Sequence, residues 1–319
     1  MRQAGRILPP YRQLKEEVGS LERMFRDPEI ATEVTLMPVD MLGVDAAILF
    51  ADIFTPVDPM GCSVTFNPGP VLEFTISEPG DVARLQTFDA DSDLSYVADI
   101  IGRVRSRLPD SVPLIGFAGA PFTLASYMIE GGSSRNFALT KSLMYSDPAG
   151  WERLMAKILE VLVPYAANQV ACGADVIQIF DSWVGALGPE DYKRYVLPHS
   201  RMLIRQIQTT GVPVIHFATG AGTFLPLLHE AGGDVLGIDW RVRLDEAWSA
   251  IRHEAAMQGN LDPAALFAPL PAIKRRVEDI LRRAGNRPGY IFNLGHGILP
   301  ETPVENVKAV VRMVRDFQP

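Results

Sequence analysis

The chain has 319 residues, of which 47% are hydrophobic and 21% charged, and 38 acidic against 30 basic side chains give a formal net charge of −8. That length supports a large core, the composition is that of a globular protein rather than a disordered one, and the acidity argues against a duplex nucleic-acid binder. With only two cysteines, Cys62 and Cys172, a disulfide scaffold and a cysteine-cluster zinc site are excluded, and a reducing cytosol is the fitting compartment.

The amino terminus carries Arg2 and Arg6 within Met-Arg-Gln-Ala-Gly-Arg and shows no apolar signal-peptide run. Short apolar runs then recur along the chain, each closed by a glycine or a polar residue: 46–50 (AAILF), 114–117 (LIGF), 176–180 (VIQIF), 214–217 (VIHF), 235–238 (VLGI), 257–258 (MQ) and 290–294 (YIFNL). Most lack strict alternation, as expected of parallel strands covered on both faces. Helical stretches separate them. Asp147-Pro148 opens a long one towards Gly173, Pro189 and Gly211 bracket another, Asp262-Pro263 opens one ending near Gly285, and Thr302-Pro303 starts the last. The most apolar stretch, 158–180, is interrupted by Glu160, Pro164, Asn168, Gln169 and Asp175, so no membrane span is expected.

Alternating strands and helices predict an α/β chain, and a single (β/α)8 TIM barrel over residues 1–319 is favoured over an open doubly wound sheet. Polar residues follow nearly every strand: Asp52, Asp181 and Ser182, His216 and Thr219, Asp239, Asn260 and Asp262, and Asn293 and His296. An open sheet needs its site at one switch point only, whereas a barrel gathers all its strand ends at one mouth. The intervals 216–239 and 239–260 are short and predict brief helices. Residues 63–66 and 72–76 flank Asn67-Pro68-Gly69-Pro70 and predict a hairpin above the mouth. An eighth strand is not visible; it is expected to precede or include Met1, upstream of the chain as it stands.

Several residues could carry chemistry. Arg2 and Arg6 are spaced to make forked contacts with carboxylates or phosphates, or else form a solvated basic end. Asp52 lies among apolar neighbours and is either a functional carboxylate or one bonded to loop amides. Gly116–Pro121 runs from strand into a tight turn, and Tyr127 lies about two helical turns further on, as a site residue or a core one. Asp181 and Ser182 act on a ligand or order their loop. His296 stands between Gly295 and Gly297 just after the last strand and reads as functional, whereas His216, inside a strand, reads equally well as structural. No His-x3-His or His-Glu-x2-His pattern, Walker loop or Gly-x-Gly-x2-Gly turn occurs.

Taken in order, Met-Arg-Gln-Ala-Gly-Arg (1–6), Phe-Ala-Asp (50–52), Gly-Phe-Ala-Gly-Ala-Pro-Phe-Thr-Leu (116–124) with Tyr127, Phe-Asp-Ser (180–182) and Asn-Leu-Gly-His-Gly (293–297) resemble the uroporphyrinogen decarboxylase family along essentially the whole chain. The resemblance implies a (β/α)8 barrel, a homodimer with neither metal nor cofactor, and removal of the four acetate carboxyls of uroporphyrinogen III to give coproporphyrinogen III; the cysteine usage places it in the cytoplasm. It also implies a site of Arg2, Gln3, Arg6, Asp52, Phe117, Tyr127, Phe180, Ser182 and His296. Among these Asp52, Arg2, Tyr127 and His296 would be catalytic, and the identity of the proton donor stays open. Members of the family usually carry a few tens of residues, with the first strand, before this motif. Ile7 stands where an aromatic is usual, and Pro10 where an acid is common. Two other readings remain. A corrinoid methyltransferase of the same fold would need a His-x-Cys zinc pair, but His216-Phe217-Ala218 has no thiol. A non-catalytic tetrapyrrole-binding protein would have little use for so many polar strand ends.

Overall fold

A computed structural model describes residues 3–66 and 69–318. Nine strands are described in chain order: β1 Ala47–Ile48, β2 Val64–Phe66, β3 Pro70–Leu72, β4 Leu114–Gly119, β5 Val176–Asp181, β6 Val214–Ala218, β7 Val235–Gly237, β8 Ala256–Leu261 and β9 Tyr290–Leu294. Seven form one wholly parallel sheet in the order β1-β4-β5-β6-β7-β8-β9, so each barrel strand lies beside its successor. Strands β4, β6 and β7 are buried along their whole length, which is why their sequences show no polar alternation. Among the described residues there is no eighth strand between β1 and β9.

The sheet nevertheless curls, and the elements that flank its two ends pack together. The carboxyl-terminal helix Val304–Arg315 packs against the helix Pro28–Leu42 that precedes β1. Arg315 Nη2 reaches across to the Gly43 carbonyl and to Asp45 Oδ1, each at 2.6 Å. Inside this seam lies a second apolar cluster in which Ala4, Ile7 and Leu8 from the amino-terminal segment join Val34 and Leu42, Leu261, Leu294 and Ile298, and Val307 and Val310. Side chains, rather than a backbone ladder, fill the space between the two edge strands.

Helices form where their starts and stops were expected, with two breaks. The long helix spans Pro148–Ala171 with Asp147 as its cap, its carboxylate accepting the Gly150 amide. The stretch after Pro189 divides into Pro189–Tyr195 and Leu197–Gln208, and the one after Asp262 into a 3-10 turn Pro263–Phe267 and a helix Leu270–Ala284. Pro198 and Pro269 lie at these breaks, where a missing amide and a fixed φ favour a new helix start. The helices after β6 and β7 are brief, Leu225–Ala231 and Leu244–Ala250. The hairpin is present as β2 and β3, but its second strand begins at Pro70 instead of residue 72; Asn67 and Pro68 of its turn lie outside the described residues.

Trp151 is fully buried and donates its indole N–H to the Tyr195 carbonyl at 2.8 Å, tying two helices of the outer layer. Trp151→Ala is therefore expected to cost about 3–5 kcal/mol in chemical denaturation. Arg315→Ala, which removes an ion pair with an acid 83% exposed, should cost under about 1 kcal/mol in the same measurement.

Candidate functional site

The carboxyl-terminal ends of the parallel strands open on one face, and aromatic rings pave it. Phe117 of β4 meets Phe180 of β5 edge to face at 5.4 Å, Phe180 meets Phe217 of β6 at 5.9 Å, and Phe217 meets the His296 ring at 6.4 Å. Beyond His296 the Trp240 ring follows at 6.3 Å. Strand pairing produces this arc, because Phe117, Phe180 and Phe217 all point inward from their strands and Phe180 is in direct register with Phe217. Phe117 and Phe180 are buried, as expected of apolar walls, and His296 is half-buried at the edge of the arc.

Tyr127 belongs to the helix Pro121–Glu130, whose first turn follows β4 directly. Its ring packs edge-on against Phe54 at 4.7 Å and against Trp183 at 5.7 Å, which brings the loops after β1 and β5 to it. Asp52 lies two residues before Phe54 and is half-buried, not enclosed as its apolar neighbours predicted; one oxygen, Oδ1, accepts the Phe54 amide at 3.1 Å. A small cavity of about 40 Å³ beside it is lined by Arg26, Asp52, Phe54, Tyr96 and, from the hairpin, Val64 and Phe66. Ser182 is half-buried at the end of β5, and its carbonyl accepts the Thr219 hydroxyl.

The amino-terminal motif meets the last loop. Arg6 Nη1 donates to Gln3 Oε1 at 3.1 Å and to the Ile298 carbonyl at 3.3 Å, so the segment is tied to the turn holding His296. Gln3 adopts a left-handed backbone at φ 58° and packs against Gly297 so closely that a Cβ there would overlap its amide oxygen. Arg6 also faces Tyr11, whose hydroxyl pKa is raised by burial, with the Arg6 charge opposing the rise. Gln3 and Arg6 thus meet the turn that follows His296, Arg6 reaching a carbonyl 292 residues away; Arg2 lies outside the described residues.

Other polar strand ends have different work. Asp181 is fully buried and alternates with Phe180, so it faces the helix layer, where Thr123 Oγ1 donates to Oδ1 at 3.1 Å and His216 Nε2 lies 3.7 Å from Oδ2. Both Asp181 and His216 are therefore structural. Asn260 donates to the carbonyls of Asp239 and Val242 at 2.8 and 2.7 Å, and Asp262 caps the turn at Ala264. Of the residues at the mouth, Phe54, Trp183, Phe217, Trp240 and Arg241 went unmarked in the sequence. For Phe217 a signal existed, since it occupies in VIHF the place that Phe180 holds in VIQIF.

A cavity of about 510 Å³ is at the opposite end of the sheet, lined by Gly233, Asp234, Trp248, His253 and Arg287 among others. Those residues flank the starts of β7, β8 and β9, far from the strand ends that bear the chemistry in barrel enzymes. Among the described residues no three His, Cys, Asp or Glu gather as metal ligands. Cys62 is fully buried, and burial, then the Asp58 charge, pushes its thiol up to about 12; the Cys172 thiol is raised as well, so neither is poised as a thiolate ligand.

Residues 1–317 match the model of the uroporphyrinogen decarboxylase (URO-D) family. Proteins named uroporphyrinogen decarboxylase are similar along the chain: that of Solibacter usitatus is 57% identical over 100% of this chain and 92% of its own, and that of Carboxydothermus hydrogenoformans 52% over 99% and 91%. The Koribacter versatilis protein of the same name is 51% identical over 99% and 91%. Among solved structures, a methyltransferase from Methanosarcina mazei superposes with a TM-score of 0.80 over 95% of this chain and 90% of its own. At 22% identity that likeness establishes the barrel fold and nothing of the chemistry.

Gly295 joins β9 to His296, and a Cβ there would lie 2.5 Å from the Trp240 amide nitrogen and 3.0 Å from the Asp239 carbonyl carbon. Neither backbone atom can turn aside, so Gly295→Ala should destabilise the fold by roughly 1–3 kcal/mol. Gly102→Ala, within the helix Ser95–Arg107 where a Cβ meets nothing within 4 Å, should be neutral or stabilising by up to about 1 kcal/mol. Denaturant titration of the two variants checks the contrast.

Proposed function

The chain belongs to the uroporphyrinogen decarboxylase family, and from that membership we propose how its mouth removes the four acetate carboxyls of uroporphyrinogen III as carbon dioxide to leave coproporphyrinogen III. The observation that supports the assignment of parts is the aromatic arc ending at His296, with Asp52 and Tyr127 on the same face.

An acetate carboxylate leaves only if its bonding electrons have somewhere to go. Protonation of the neighbouring pyrrole carbon turns the ring into a cation that accepts them. Carbon dioxide departs, an exocyclic methylene forms, and a proton delivered to that carbon yields the methyl group as the ring carbon loses the proton it had gained. One proton is consumed and one carbon dioxide released for each arm. The ring is its own electron sink.

The role of the protein is then electrostatic. Asp52 accepts hydrogen bonds from the pyrrole N–H groups and stabilises the positive charge as it develops, and its orientation is set beforehand by the Phe54 amide. Phe117, Phe180 and Phe217 form a low-dielectric floor that strengthens this interaction. Arg2 and Arg6 neutralise and orient carboxylate arms. Gln3, Tyr127, Ser182 and His296 hold further arms, and a proton reaches the ring from a donor beside the scissile arm or through water. A homodimer in the cytoplasm completes the proposal. Among the described residues no helix is long and apolar enough to cross a membrane, and light scattering of the purified protein tests the dimer.

Anaerobic incubation with chemically reduced uroporphyrinogen, followed by oxidation and chromatography of the porphyrins, should show stepwise loss of carboxyls. Asp52→Asn should lower kcat by about 10²-fold or more while the dissociation constant for substrate changes much less. Equal losses in kcat and binding would reduce Asp52 to a positioning role.

A further inference from the structure

The loop after β7 holds one more guanidinium at the mouth, and holds it unusually well for a surface arginine. Asp239 is only 3% exposed. Its Oδ2 accepts the Gly220 amide from the loop after β6 at 2.7 Å, and its Oδ1 accepts the Arg241 amide at 2.9 Å. The same Oδ2 takes Arg241 Nη1, closing the side chain back on its own loop. The guanidinium carbon then lies 4.2 Å above the centre of the Trp240 ring. Trp240 in turn meets the His296 ring edge-on, at 85° between planes.

One edge of the guanidinium is thus pinned by a carboxylate and one face by an indole, yet the Arg241 side chain is 55% exposed. A long side chain on a loop ordinarily keeps many rotamers. Here two contacts remove them in advance, and the fork that remains is presented with its direction set. The loop itself is braced by Asn260 through the Asp239 and Val242 carbonyls, so the charge is fixed to the sheet. Asp239 offsets part of the charge. Its lone pairs, however, are engaged by two amides and by Nη1, and a carboxylate arriving at the other edge meets donors.

Resting on the reading of this site as a uroporphyrinogen decarboxylase, we propose that Arg241 is a specificity-determining residue that binds a peripheral carboxylate of the macrocycle next to the ring held at His296. Its position on Trp240, whose ring meets that of His296, suits an arm that stays on the substrate while another is cleaved. A substrate with eight carboxylates entering an acidic protein needs local positive charge beyond that of Arg2 and Arg6.

The test uses Arg241→Gln and Arg241→Lys in the full chain, with two readouts. In turnover of uroporphyrinogen, Arg241→Gln should raise KM roughly tenfold while kcat falls much less, and the dependence of KM on salt should weaken. Arg241→Lys should restore part of the loss. In binding, quenching of tryptophan fluorescence by uroporphyrin, which is oxidised and cannot react, should weaken in Arg241→Gln by a similar factor. An unchanged KM and unchanged uroporphyrin affinity would overturn the inference. So would parallel falls in kcat and thermal midpoint with no change in the salt dependence, which would make Arg241 a brace for its loop. A wild-type protein that releases no carbon dioxide would defeat the reading of the reaction instead, and the uroporphyrin titration would still decide the role of Arg241.

Discussion

The site exists because the seam between β1 and β9 is closed by side chains. No strand bridges these edges among the described residues, yet Ala4, Ile7 and Leu8 are buried there between the helix before β1 and the strands β8 and β9. Burying those apolar groups seats the whole amino-terminal segment. That seating is what allows Arg6 to reach the Ile298 carbonyl and Gln3 to lie on Gly297. Were the segment elsewhere, the turn after His296 would lose its contacts with Gln3 and Arg6, and the mouth would be empty of Arg6.

A second constraint is charge. The chain is acidic overall, and many of its arginines are spent on surface pairs such as Arg103 with Asp99 or Arg283 with Asp279 and Asp245. Pairs of this exposure add little to stability. Arg6 is directed by a backbone carbonyl and a glutamine oxygen, neither of which cancels its charge. Arg241 shows the other solution, a partial cancellation by Asp239 that secures orientation. Between them the aromatic arc lowers the local dielectric, so each remaining charge acts further than it would in water.

Barrel polarity also explains why polar strand ends divide into two kinds. A residue at the tip of a buried strand faces either the mouth or the helix layer, according to its parity along the strand. Phe180 faces inward, so Asp181 cannot; it meets Thr123 and His216 instead. Asn260 and Asp262 serve their loops. A list of polar strand ends therefore overstates the site, while the aromatics that alternate with them, Phe117, Phe180 and Phe217, mark it more faithfully.

Much was legible in the residues alone. Unalternating apolar runs fix which segments are buried strands, Pro and Asp at helix starts fix where helices open, and the motifs around Arg6, Asp52, Tyr127 and His296 carry the family. These signals are local, written within a few residues by backbone sterics and burial. The half-exposed setting of Asp52, the contact of Gln3 with Gly297, and the stacking of Arg241 on Trp240 beside His296 were decided only by the tertiary structure. They depend on where distant strand ends arrive when the sheet curls, and no local pattern encodes that distance.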